Sequence, residues 1–198
     1  MEKHKYYIVA IDGRAAAGKS MLAERLQREF ERSAVVHMDD FFLPPELRTK
    51  TRYQEPGGNV HHERFQEEVL TPLREGTLHS YRRFSCHSMS YEREPIVLGD
   101  PVLVIVEGAY ATSPRFGHFY DLSIFLDVAP AIQKERICNR NGKENWVNFE
   151  TKWIPMEENY IRHYRVAENC DHIVTTESFT TAGLTDKIVN NIMQLSYQ

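Results

Sequence analysis

The sequence predicts an α/β fold of three layers, α/β/α, on a mainly parallel five-stranded sheet with a small lid. Three observations predict it. Short unbroken apolar runs recur along the chain, each the length of one strand buried on both faces. Segments with apolar residues at helical spacing alternate with these runs, the order that crossover-connected parallel strands require. Between the first run and the first helical segment stands Gly13-Arg14-Ala15-Ala16-Ala17-Gly18-Lys19-Ser20, which fits the pattern Gly-x-x-x-x-Gly-Lys-Ser/Thr.

Taken in order, Tyr6 to Ile11 is the first buried strand. After the glycine loop, Leu22, Leu26 and Phe30 fall on one helical face. Ala34 to Met38 is a second strand, with Asp39-Asp40 at its C-terminal end, the edge where open α/β sheets bind ligands. Two prolines, Pro44 and Pro45, mark a loop, and the polar stretch from about Glu46 to Asn59 predicts a long surface loop. Phe65, Val69 and Leu73 predict a helix from about His62 to Arg74, closed by Gly76 and bent or ended by Pro72. Residues Leu78 to Glu94 have no clean period and predict irregular structure.

Ile96 to Leu98 and Val102 to Val106 are two apolar strands joined by Gly99-Asp100-Pro101, the second ending at Glu107-Gly108. Leu122 to Val128 is another buried strand, and Pro130 opens a helix through about Asn139. A polar, lid-like segment follows to Asn148, then a helix from about Phe149 to Glu168. His172 to Val174 is a last short strand, and Leu184, Ile188, Ile192 and Leu195 mark a terminal helix.

The glycine loop carries the chemistry. Gly13 and Gly18 let the backbone turn so that successive N–H groups point inward, and the helix N-terminus adds partial positive charge. In this pattern the backbone from Gly13 through Arg14, Ala15, Ala16, Ala17 and Gly18 to Met21 cradles phosphates, Lys19 reaches the β- and γ-phosphates, and Ser20 ligates Mg²⁺. Strand, loop and helix together predict a P-loop NTPase fold that takes a nucleotide triphosphate.

Bulk properties narrow the class. A length of 198 residues suits one domain with a sizeable core, and no repeat, low-complexity tract or linker-like shift divides it. A net charge of -4 offers no general attraction to nucleic acid or an anionic membrane. No apolar run approaches the roughly 20 residues of a membrane span, and the first residues lack a signal-peptide core. Cys86, Cys138 and Cys170 are scattered, odd in number and without Cys-x-x-Cys spacing, which predicts reduced thiols and a cytoplasmic location. The sequence does not fix an oligomeric state.

The acidic residues refine the reading. Neither an Asp-x-x-Gly after a strand nor an Asn-Lys-x-Asp motif is evident; instead there are Asp39-Asp40 and Glu107-Gly108. This arrangement resembles the uridine kinase-like family of P-loop kinases, which also includes pantothenate, phosphoribulose and nicotinamide riboside kinases. Four landmarks carry the resemblance in order: Gly13 to Ser20; Met38-Asp39-Asp40-Phe41-Phe42, close to the family's Asp-Ser-Phe-Tyr; Glu107-Gly108; and an Arg-bearing helix before a lid, with Arg136 and Arg140. It spans most of the chain and implies one kinase domain over residues 1–198, with a lid near 138–150 and an acceptor-side insertion near 43–94.

The resemblance implies transfer of the γ-phosphoryl of ATP, with Mg²⁺, to a hydroxyl of a small metabolite. It casts Asp39 as the base that positions and deprotonates that hydroxyl, with Asp40 the runner-up, and Glu107 as a metal-shell or substrate carboxylate beside Ser20 and Asp39. Arg136 and Arg140, four apart on one helical face, would neutralise charge between donor and acceptor together with Lys19; Gln133 stands where several relatives carry another Arg. Trp146, Trp153 and Tyr160 flank the lid and are expected to pack its hinge rather than stack on a base.

The acceptor is less determined. The stretch matching the family's Phe-Asp-His-Pro is Asn59-Val60-His61-His62-Glu63, with His61 where the ribose-binding Asp would be. An imidazole does not replace a carboxylate that accepts two hydrogen bonds. His61 and His62, being adjacent, point to different sides and do not predict a metal pair. Tyr81 and His87 loosely match nucleoside-pocket residues, while Arg48, Arg52, Arg82, Arg83 and Arg93 suggest an anionic acceptor. A nucleoside, a non-nucleoside acceptor such as pantothenate, nicotinamide riboside or a sugar, and a nucleotide-binding regulatory module without kinase activity all stay open.

Overall fold

The computed structural model describes residues 6–175 together with 186, 189 and 190. β1 (Tyr7–Gly13) runs through the glycine loop into α1 (Lys19–Glu29), and β2 (Ser33–His37) follows. After an insertion come β3 (Leu103–Glu107) and β4 (Leu122–Asp127), then α3 and α4 described below, and finally β5 (His172–Thr175). The five strands form one sheet in the order β2-β3-β1-β4-β5, with every neighbouring pair parallel. The register sets Ile11 beside Glu107 and Ile124, and His37 beside Glu107. The C-terminal ends of β1, β2 and β3 therefore open at one edge of the sheet.

Alternation along the strands explains the layers. On one face Val9, Ile11, Val35, Ile105 and Ile124 pack with Leu22, Ala23 and Leu26 of α1. On the other, Ile8, Val36, Val104, Val106 and Phe125 pack with Phe65, Val69, Leu70 and Leu73, and with Tyr160 and Ile161. With both faces covered, β3 is buried at every position, which is why it reads as a continuous apolar run rather than an alternating one.

Within the insertion the expected long loop contains a short helix, α2 (Lys50–Gln54), whose Thr49 Oγ1 accepts from the Arg52 N–H at 3.1 Å. The helical stretch at 62–75 is α-helical over His62–Phe65, widens to a π-turn over Gln66–Leu70 and resumes over Thr71–Glu75, ending at left-handed Gly76. The widening falls just before Pro72, whose ring and missing N–H disfavour the regular ladder. The stretch expected to be irregular holds two antiparallel ribbons: Ser80–Tyr81 with Ile96–Val97, and Phe84–Ser85 with Ser90–Tyr91. Ile96 to Leu98 is thus not a strand of the main sheet; two residues pair, and Val97 is 75% exposed.

α3 (Pro130–Asn141) is followed by the segment expected to be lid-like, which is helical: turns at Lys143–Asn145, Trp146–Asn148 and Phe149–Trp153 lead into α4 (Ile154–Tyr164). The turn at Phe149–Trp153 is again π-helical and again precedes a proline, Pro155. α4 stops at Arg165, in a left-handed conformation, short of the expected Glu168. The expected terminal helix lies almost wholly outside the described residues. No helix among those described is long and apolar enough to cross a membrane.

Candidate active site

The glycine loop folds as a cradle. Gly13, Ala16 and Gly18 take positive φ of 134°, 60° and 98°, turning backbone amides inward. A Cβ at Gly13 would lie 2.1 Å from the Leu126 carbonyl, so the loop's entry tolerates no side chain. The Lys19 ammonium donates to the Gly13 and Arg14 carbonyls at 2.7 and 2.9 Å. α1 begins at Lys19 without a side-chain cap, leaving its positive end to an anion.

Glu107 ends β3 and is 5% exposed. Its two oxygens stand 3.2 and 3.3 Å from Ser20 Oγ, and Oε1 is 2.6 Å from His37 Nδ1. That hydrogen bond holds the His37 imidazole above its ordinary pKa, against burial. His37 was not singled out by its residue type; the signal that finds it is its position as last residue of β2, beside Glu107 as last residue of β3.

The two aspartates after β2 part company. Asp39 lines the cleft. Asp39 is exposed to the cleft, yet the protein crowded around that cleft, with Glu107 and Asp40 nearby, pushes its pKa up, while Lys19 and Arg140 pull it down. Asp40 is buried and committed: Arg83 Nε donates to it at 2.8 Å, the Tyr81 hydroxyl at 2.7 Å, and Arg64 holds its backbone carbonyl.

One cleft of about 1140 Å³ joins these groups. Ala15 to Met21, Asp39, Glu107, Arg136 and Arg140 all line it. Arg136 donates to the Ala16 carbonyl at 3.1 Å, and Gln133 to that of Ala15 at 3.1 Å, so Gln133 supports the loop from α3. Arg140 Nε donates to Asn141 at 2.8 Å. The Arg14 side chain turns away to Asp127, at 2.7 Å, and Glu158.

The structure does not bring His61, Tyr81 or His87 to the cleft wall. His61 Nδ1 is used as a helix cap for the Arg64 N–H at 3.3 Å. The Tyr81 hydroxyl is used by Asp40. His87 is exposed on a ribbon turn whose neighbours Cys86 and Met89 do line the cleft. From the side of the insertion, Phe42, Leu43, Arg48, Tyr53 and Asn59 line the cleft as well. Asn59 is 4% exposed, and its side-chain oxygen has no hydrogen-bond partner among the described residues.

The expected surplus of positive charge is largely spent elsewhere: Arg52 on Glu63 at 2.9 Å, Arg82 on Glu68 at 2.6 Å and Arg83 on Asp40. Of the five arginines counted for an anionic acceptor, Arg48 alone reaches the cleft wall. Trp153 and Phe149 line the cleft, whereas Tyr160 is core.

Two buried carboxylates were not legible beforehand. Asp12 accepts from the amides of Gly13, Tyr110 and Thr112 and from the hydroxyls of Thr112 and Tyr160, at 2.7 to 3.1 Å. It ties the loop to the turn after β3 and to α4. Glu157, in the first turn of α4, places both oxygens 2.9 Å from the Ala15 N–H. Neither has a spacing that announces it, because apart from Gly13 their partners lie 98 to 148 positions away.

The donor set fits a nucleotide with Mg²⁺. Among the described residues no group of three or more His, Cys, Asp or Glu is placed to hold a metal, and Mg²⁺ needs none, since it binds through one or two protein oxygens plus phosphates and water.

No protein-family model matches the chain. A uridine kinase of Serratia proteamaculans (strain 568) is 30% identical over 153 residues, 71% of either chain. A uridine kinase of Salmonella typhimurium is 28% identical over 155 residues, 72% of either chain. Among solved structures, a possible uridine kinase from Bacillus stearothermophilus superposes with a TM-score of 0.63 at 16% identity, over 87% of this chain and 90% of that one. An uncharacterized protein from Eubacterium ventriosum gives 0.56 at 14% identity, over 94% and 98%. These two structures share the fold, and the Serratia protein is similar in sequence as well. With its glycine loop, Ser20–Glu107 pair and cleft in place, the chain belongs to the uridine kinase-like family of P-loop small-molecule kinases.

Proposed function

We propose that the protein transfers the γ-phosphoryl group of ATP to a hydroxyl of a small, uncharged metabolite, a nucleoside such as uridine fitting best. The observation that carries this reading is the shared cleft: the Ser20–Glu107 pair and the glycine loop stand with Asp39 and the arginines of α3 around one space. When bound, ATP supplies the transferable group and Mg²⁺ neutralises its phosphate oxygens. Ser20 and Glu107 would hold the metal, with Asp39 in reach, and Lys19 would leave the loop carbonyls for the phosphates. Asp39 takes the proton of the acceptor hydroxyl as the new O–P bond forms. The bond to the bridging oxygen breaks, its electron pair leaves on ADP, and Arg136 and Arg140 stabilise the charge between the two.

The uncharged acceptor is supported by the pairing of Arg52, Arg82 and Arg83 with acidic partners. The family likeness to uridine kinases points the same way. The unpaired Cys86, Cys138 and Cys170 suit a reducing compartment, and we place the protein in the cytoplasm. ADP release with ATP, Mg²⁺ and a panel of nucleosides, pantothenate and sugars tests the reading. Nucleoside-dependent release supports it; release with pantothenate or sugars alone would transfer the acceptor, and no release with any hydroxyl compound would leave a binding module. Asp39→Asn is expected to keep ATP binding and lower turnover by about 10²–10⁴-fold; retained turnover removes Asp39 as the base.

A further inference from the structure

Of the carboxylates that line the cleft, Asp39, Glu107 and Glu157, phosphoryl transfer leaves Glu157 unused. It is 5% exposed and lines the cleft beside the glycine loop. Both of its oxygens converge on a single donor, the Ala15 N–H, at 2.9 Å. The cations nearby are committed to other groups. Arg14 pairs with Glu158 and Asp127, and Lys19 donates to the Gly13 and Arg14 carbonyls. Asp12 and Tyr110 face Glu157 from β1 and the turn after β3, while Gln133 and Arg136 of α3 hold the neighbouring loop carbonyls. On its own helix Tyr160 is bound to Asp12. Burial with one neutral donor raises the Glu157 carboxyl to about 7, Lys19, the Ala15 bond and Arg14 opposing that rise and Asp12 adding to it.

The Ala15 amide belongs to the backbone that cradles nucleotide phosphates in this motif. We propose that Glu157 is a phosphate surrogate on the glycine loop, so that a nucleotide and the Glu157 carboxylate compete for the Ala15 amide and nucleotide binding is coupled to uptake of a proton by Glu157. The physical reason is like-charge repulsion in a water-poor site: a phosphate oxygen beside a carboxylate favours the carboxyl's neutral form. Residues 157, 158 and 160 of α4 hold positions 15, 14 and 12 of the loop and strand. Release of Glu157 therefore also loosens the lid helix from the loop. Glu157 acts through Ala15 and is a positioning residue, with no part in bond making.

The proposal rests on nucleotide binding at this loop. Calorimetric titration of the whole protein with Mg-ATP from pH 6 to 9, in buffers of different ionisation enthalpy, measures proton uptake directly. The wild type is expected to take up close to one proton more than Glu157→Gln at pH 8. Its affinity should weaken by up to tenfold per pH unit above about 7, the slope that one linked proton imposes. Glu157→Gln should lose that extra slope and bind ATP about tenfold more tightly than wild type at pH 8. Equal proton uptake and equal pH slopes in the two proteins overturn the proposal alone. Absence of Mg-ATP binding at every pH overturns the kinase reading as well. Should Glu157→Gln fail to fold, wild-type uptake decides: none at pH 8 overturns the proposal, and an uptake that rises between pH 6 and 8 supports it.

Discussion

Asp39 and Asp40 are neighbours at one strand end with opposite fates, and the difference is which groups reach them. Asp40 takes the Arg83 guanidinium and the Tyr81 hydroxyl, so Asp40→Ala leaves a buried hydroxyl without its acceptor. The expected cost is about 2 kcal/mol of stability, read as a lower urea midpoint, with the Asp39 chemistry retained. An unchanged midpoint would mean the pairing contributes nothing. Glu157 ties stability to pH in a definite direction. Its carboxyl stands near 7 in the folded chain against an ordinary 4.5. The folded state therefore holds that proton more tightly, a contribution full below about 4.5 and lost as pH rises to about 7. Glu157→Gln should match the wild type in urea at pH 4 and exceed it at pH 8, by on the order of 2 kcal/mol. Equal midpoints at both pH values would show that burial does not perturb the group.

At the scale of elements, the turn from β1 into α1 is set by contact as much as by backbone preference. Gly13→Ala drives a methyl into the β4 backbone at Leu126, whereas a Cβ at Gly18 meets nothing within 4 Å. Gly13→Ala is expected to cost about 3 kcal/mol or more and to abolish nucleotide binding, and Gly18→Ala about 1 kcal/mol, from strain at positive φ alone. Thermal unfolding of both variants checks the order; a reversed order would refute the steric account. The two helices with an internal proline share one solution, a π-turn immediately before Thr71-Pro72 and before Ile154-Pro155. Pro72 was readable as a break, because the missing N–H is local chemistry. The helical turns over 143–148 were not readable, since that stretch is mostly polar and folds against α3 through contacts such as Lys134 over the Trp146 ring at 4.9 Å, whereas the helix from Phe149 was.

For the whole molecule, one sheet carries a hydrophobic cluster on each face, and β1 and β3 contribute to both. The clusters are expected to melt together as one transition among the elements described, and two resolved calorimetric peaks would refute that. ATP at about one hundred times its dissociation constant should add about 2.7 kcal/mol to stability, and no shift would argue against binding to the folded protein. The expected anionic acceptor shows what composition misses: arginines counted along the chain say nothing about their partners. Arg52, Arg82 and Arg83 meet Glu63, Glu68 and Asp40 only once the insertion folds.

The sequence by itself determined the glycine loop, the five strands whose apolar runs mark them, and the carboxylates at their ends. Those features are local: a strand buried on both faces must be apolar throughout, and a phosphate cradle must have glycine where the backbone turns. Only the tertiary structure decided that Asp39 and not Asp40 faces the cleft, that His37 leans on Glu107, and that Asn59 lines the cleft while His61 does not. Only it set Asp12 and Glu157 beneath the loop. These depend on pairings across tens to more than a hundred residues, and the direction in which a buried polar side chain points is settled by the partner it finds there.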